Sequence, residues 1–193
     1  MKKISCLLFA LGVLTLGGCV GPISRPSALM QKAAPVLPPP PGQSLVLIHR
    51  PRNAQGYGLY TGVWDGRHFI ADLGNGNSTA YVCEPGRHYF INRSVERIGV
   101  VEADLLPDKI YMLRLGIAGV WIASFQLEPM KRGDRSAEKI AARCEKENAW
   151  VGRGSAAAAH ETLRQPEIEL ILKDFVNGDK RDRLRHLGPD DYR

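Results

Sequence analysis

Apolar and polar positions between residues 44 and 127 come in short runs of six to eight residues, each closed by turn-forming residues. The runs are SLVLIHR (44–50), LYTGVW (59–64), RHFIADL (67–73), STAYVC (78–83), RHYFINR (87–93), IGVVEADL (98–105), IYMLRLG (110–116) and VWIASFQL (120–127). Several alternate with the period of two that places successive side chains on opposite faces of a strand. In RHYFINR, Tyr89 and Ile91 fall on one face and His88, Phe90 and Asn92 on the other. In IYMLRLG, Tyr111, Leu113 and Leu115 share a face opposite Met112 and Arg114. Asp65-Gly66, GNGN (74–77), Glu84-Pro85-Gly86 and Pro107-Asp108 supply turn chemistry between the runs. Eight short strands in this rhythm predict a small antiparallel β-sandwich, with Trp64 and Trp121 in its core.

After Pro129 the period lengthens. In DRSAEKIAARCEKEN (134–148), Ala137, Ile140, Ala141 and Cys144 sit at helical spacing. GSAAAAHETLR (154–164) offers Ser155 as an N-cap before strong helix formers, and Pro166 suits the first turn of a further helix. There Ile168, Ile171, Leu172, Phe175 and Val176 form one apolar stripe that Asn177-Gly178 ends. The fold class is therefore mainly β, with an α-helical C-terminal tail. The stripe either packs on the sandwich or docks on a protein partner in the cell envelope.

The N-terminus follows a different grammar. Lys2 and Lys3 precede an apolar run at residues 4–16, too short for a membrane span, which needs about 20 residues, and suited to a signal peptide. Leu16-Gly17-Gly18-Cys19 resembles the bacterial lipobox. That resemblance implies cleavage before Cys19, acylation of its sulfur with palmitate-like chains, and attachment to a bilayer. Val20, in place of Asp, resembles the outer-membrane class of lipoproteins, facing the periplasm. Residues 20–42 carry seven prolines, four of them consecutive at Pro38–Pro41. They read as a polyproline tether that, fully extended, would reach roughly 70 Å. The expected organisation is a signal peptide at 1–18, an acylated tether at 19–42, a sandwich at 43–130 and a helical tail at 131–193.

The turn chemistry carries a second likeness. Val63-Trp64-Asp65-Gly66, Cys83-Glu84-Pro85-Gly86-Arg87-His88 and Lys109-Ile110-Tyr111 resemble a family of bacterial lipoproteins whose domain of unknown function is related to PEGA and carboxypeptidase-regulatory-like sandwiches. Pro107-Asp108-Lys109 departs from the Ala-Gly-Lys usual there. The resemblance covers residues 43–129 and implies a fold and an envelope address, with no activity to carry over.

Composition changes this picture little. The net charge of +6 divides unevenly along the chain: residues 43–130 hold eight basic and eight acidic side chains, so the sandwich is neutral. No nucleic-acid partner follows from that balance or from export. With Cys6 in the signal and Cys19 acylated, Cys83 and Cys144 remain, either bridged or as two separate thiols. His49, His68, His88, His160 and His186 are scattered, and no HExxH, CxxC, GxSxG or P-loop motif occurs. The expectation is therefore a non-enzymatic lipoprotein that binds or assembles, with no catalytic, metal or cofactor residues. The alternative is a periplasmic hydrolase or carbohydrate-binding module, for which a pocket joining His68 or His88 to a carboxylate would speak. An exposed 168–176 stripe would speak for assembly.

Overall fold

A computed structural model describes residues 27–34, 37–94, 97–118, 124–147 and 149–193. The signal peptide, Cys19 and Trp121 lie outside the described residues. The mainly β fold with a C-terminal helix is present. One sheet contains β3 (Thr61–Asp65), β4 (His68–Leu73), β6 (Gly86–Arg93), β7 (Ile98–Leu105) and β11 (Arg185–Leu187), in the order β11-β7-β6-β3-β4. The other contains β2 (Ser44–His49), β5 (Ser78–Cys83), β8 (Ile110–Ile117) and β9 (Phe125–Pro129), in the order β5-β2-β8-β9. β1 (Met30–Ala33) and β10 (Ala149–Gly152) form a separate antiparallel ribbon. Two pairings, β2–β8 and β11–β7, are parallel, so the sheets are mixed rather than purely antiparallel.

Strand β2 explains why the sandwich closes. All six of its residues are buried. Val46 and Ile48 face the inter-sheet core with Tyr111, Leu113 and Leu115, while Leu45 and Leu47 join Met112, Met130, Ala141 and Cys144 on the outer face. That outer face is covered by α1 (Arg135–Lys146), whose first turn is fixed by Asp134 accepting a hydrogen bond from the Ser136 amide at 2.8 Å. The five-stranded sheet is also covered on both faces, which is why Phe90 and Ile91, neighbours of opposite orientation, are both fully buried. Across the core, Asn92 donates to the Phe125 carbonyl at 2.8 Å and accepts from the Leu127 amide at 2.7 Å. Gly99 permits this close approach: a Cβ there would lie 2.5 Å from Asn92 Oδ1.

Arg50 organises the loop between β2 and β3. Its side chain is buried, donates to the carbonyls of Leu59, Leu73 and Gly56, and stacks 4.0 Å above the Phe125 ring. Burial pulls its guanidinium down to about 10, the Asp72 charge opposing.

The tail belongs to the same body as the sandwich. β11 extends the five-stranded sheet, and β10 pairs with β1 from the segment expected to be a free tether. Met30 is buried and the Arg153 amide donates to the Leu29 carbonyl at 2.7 Å, so the described part of 27–42 is built into the fold. Helix α2 (Gly154–Leu172) starts without a side-chain cap, at Arg153 rather than Ser155, and continues as one wide turn through Lys173–Asn177. It runs straight past Pro166, which was expected to begin a new helix. Pro166 lies on the solvent side, where water can satisfy the carbonyl it leaves unpaired.

The Cys83–Cys144 bridge left open by the sequence does not form; both cysteines are free and buried. Cys83 ends β5 facing the inter-sheet core, whereas Cys144 packs in the outer cluster, beside Ser78 at the other end of β5. A sheet thickness and about 16 Å of strand separate them, far beyond disulfide reach.

Candidate functional site

The groups able to do chemistry gather on both flanks of α2, where it crosses the hairpin of β3 and β4. That hairpin turns at Gly66-Arg67, with Gly66 at φ +52°, so Asp65 and His68 face each other across the pair. Successive residues of α2 then diverge. His160 leans over Trp64 and Phe69, at 5.7 and 4.9 Å between ring centres, and Glu161 reaches the opposite flank.

On the Glu161 side is a cleft of about 390 Å³, lined by His68, Phe69, Tyr81, Gly152, Ala157 and Glu161 among others. Glu161 Oε2 accepts from His68 Nδ1 at 2.9 Å and from the Phe69 amide at 2.7 Å. The His68 ring stacks on Tyr81 at 5.8 Å. The Tyr81 hydroxyl donates to Asp65 Oδ2 at 3.0 Å, and the same oxygen accepts from His88 Nδ1 at 2.7 Å. His88 Nε2 donates to the Glu84 carbonyl at 2.8 Å. Both oxygens facing the His88 ring are acceptors, an arrangement that favours the doubly protonated ring. Its bond to Asp65 holds the His88 pKa above the ordinary value, against the opposing effect of burial. Burial, with the Asp65 charge adding to it, raises the Tyr81 phenol as well.

On the His160 side is a smaller cleft of about 190 Å³, lined by Tyr60, Trp64, Asp72, Arg93, His160 and Arg164 among others. Burial pushes the Asp72 carboxyl up, with a Ser27 hydrogen bond, His160 and Arg50 opposing it. Burial pushes the His160 imidazole down, reinforced by Arg164 and opposed by Asp72. The opposite shifts narrow the gap in proton affinity between carboxyl and imidazole. Glu167 pairs with both Arg93 and Arg164 and neutralises part of the wall.

The fold thus brings His68 and His88 within contact of carboxylates, which their spacing did not announce. It puts His49 elsewhere, under α1, bonded to Ser78 Oγ at 2.7 Å and pulled down to about 4, chiefly by burial. His186 pairs with Glu102 at the surface. Asp65, Asp72 and Glu161 were missed as site residues; Asp65 reads as a turn residue, and Glu161 lies 93 positions from His68. The stripe Ile168, Ile171 and Phe175 is buried at home against the core. Among the described residues no group of three or more His, Cys, Asp or Glu side chains is placed to hold a metal ion, and no helix is long and apolar enough to cross a membrane. Comparison with known proteins finds no matching family model, no matching curated protein and no matching solved structure.

Proposed function

We propose that this chain is a lipid-anchored protein of the bacterial envelope, held through acylated Cys19 and facing the periplasm at the outer membrane, with a non-catalytic binding or assembly role. The observation that carries the binding role is the saturation of His88. With both ring nitrogens facing acceptors, on Asp65 Oδ2 and the Glu84 carbonyl, the His88 ring has no lone pair turned to the cleft to take a proton from a substrate. One oxygen of Glu161 is engaged by the Phe69 amide and His68. What remains on that flank is a concave surface lined by apolar and polar side chains together, the make-up of a binding cleft. The anchor rests on the Leu-Gly-Gly-Cys sequence, and the lipoprotein sandwich family it resembles has the same address.

Labelling cells with an alkynyl fatty acid tests the anchor. The native chain should incorporate label and fractionate with outer membrane, and Cys19→Ser should do neither. An unlabelled native chain would remove this reading.

Three observations favour the alternative, a periplasmic hydrolase or carbohydrate-binding module: the cleft that joins His68 to Glu161, the burial of the Ile168, Ile171 and Phe175 stripe, and the Asp72–His160 cleft beside Trp64. Turnover of chromogenic esters or glycosides by the native protein, abolished in a folded Asp72→Asn variant, would select that alternative.

A further inference from the structure

Helix α2 is apolar on two nearly opposite faces. The inner one, Ile168, Ile171 and Phe175, is buried. The outer one is exposed: Leu163 retains 74% and Leu170 60% of their surface, the largest values among the exposed large apolar side chains described. Seven residues apart, they lie on one side of the helix and about 10 Å apart along its axis. Ala159 and Pro166, also exposed, fall on the same line, four residues before Leu163 and three after it. A helix packed on one face gains nothing from a second apolar line kept in water, so this line needs its own partner.

The position of the N-terminal segment says which partner. Ser27 hydrogen-bonds Asp72 in the cleft beside His160 and Arg164 of α2, and Arg153, which precedes α2, donates from its amide to the Leu29 carbonyl and from Nη2 to the Met30 carbonyl. The described chain therefore begins against α2. Ser27 is only eight residues past Cys19, a reach of about 25 Å even if fully extended. Leu163 lies about 15 Å along the helix from Arg153, and Leu170 about 25 Å. A bilayer holding the acyl chains is thus within reach of the exposed line.

We propose that the outer face of α2, through Ala159, Leu163, Pro166 and Leu170, docks on the bilayer surface that the acylated Cys19 enters. This rests on the lipid-anchor reading. Two leucines would bind lipid weakly from solution, but an eight-residue leash sets an effective concentration on the order of millimolar, which makes weak docking sufficient. Beside this face Arg67 pairs with Glu169 at 3.3 Å, and the line itself is apolar, so the contact draws chiefly on apolar burial.

The test uses the full acylated protein in vesicles of phosphatidylethanolamine and phosphatidylglycerol, after its mass has shown whether Cys19 carries acyl chains. Nitroxide labels go on Leu163→Cys, Leu170→Cys and, as a control on the opposite side of the sandwich, Lys139→Cys; Cys83 and Cys144 are buried and stay unlabelled. Labels at 163 and 170 should be reached by oxygen and shielded from an aqueous nickel chelate, and the label at 139 should be reached by nickel. In a Leu163→Asp, Leu170→Asp variant of unchanged melting temperature, a label on Ala159→Cys should report a docked-to-undocked ratio lowered about tenfold per leucine. Acylated protein with nickel-accessible labels at 163 and 170 would overturn the docking alone. Shielding accompanied by spin–spin broadening would overturn it in favour of a second copy. An unacylated Cys19 would overturn both docking and anchor.

Discussion

Two histidines of this protein each place Nδ1 2.7 Å from an oxygen, and their proton affinities move in opposite directions. His49 lies on the outer face of the four-stranded sheet, beneath α1. Its partner is the neutral Ser78 hydroxyl; burial, and then the Arg143 charge, pull it down to about 4, with Glu147 opposing. His88 lies at the rim between the sheets. Its partner is the Asp65 carboxylate, and that bond outweighs burial and raises it. Hydrogen-bond length is the same in both places, so length does not decide the charge state. The charge of the partner does, with burial deciding wherever the partner is neutral.

The largest effect that would sharpen this contrast is acid destabilisation through His49. Between pH 6.5 and 4 the unfolded chain binds a proton at this position that the folded chain refuses, so stability falls as pH falls through that window. The full shift corresponds to about 3 kcal/mol, and a His49→Gln variant should lose that part of the slope in urea titrations at stepped pH. An identical slope in the variant would break the contrast.

Removing the carboxylate from the other pair comes next. Asp65→Ala should cost about 2 kcal/mol near pH 6, because His88 and the Tyr81 hydroxyl both lose their acceptor. The sign with pH is opposite to that of His49. The native advantage is complete below the unfolded histidine value near 6.5 and fades as pH rises through the raised folded value. Urea midpoints of both proteins from pH 6 to 9 check this, and a constant difference would count against it.

A smaller effect is expected at the exposed pair. Glu161→Gln should cost about 0.5 kcal/mol, because His68 is largely in water and the glutamine oxygen can still accept from Phe69. Chemical denaturation resolves this only as a small displacement, and a loss comparable to Asp65→Ala would mean that His68 does more than decorate the cleft. Last, a reductant should leave the melting temperature unchanged, since Cys83 and Cys144 are separate thiols; burial raises Cys83 to about 12, so it should resist alkylation until unfolding.

Much of the sandwich was legible. Strands β2, β5, β6, β7 and β8 fall within a residue or so of the sequence runs, because period-two alternation and glycine or proline turns act over a few neighbours. The face shared by Tyr111, Leu113 and Leu115 was readable for the same reason. β1, β10 and β11 were not, since each is only three or four residues long and exists through a distant partner. Neither was the passage of α2 through Pro166, which packing of the inner stripe enforces against local preference.

By itself the sequence determined the strand rhythm, the helical stripe and the neutral charge of the sandwich. These are written in contiguous residues, whose spacing fixes which face each side chain takes. Only the tertiary structure decided that the segment from Ser27 is built into the fold, that two cysteines stay apart, and that the proton affinity of His88 rises while that of His49 falls. Those outcomes depend on the partner each group meets across the fold, and burial sets the energy of that meeting.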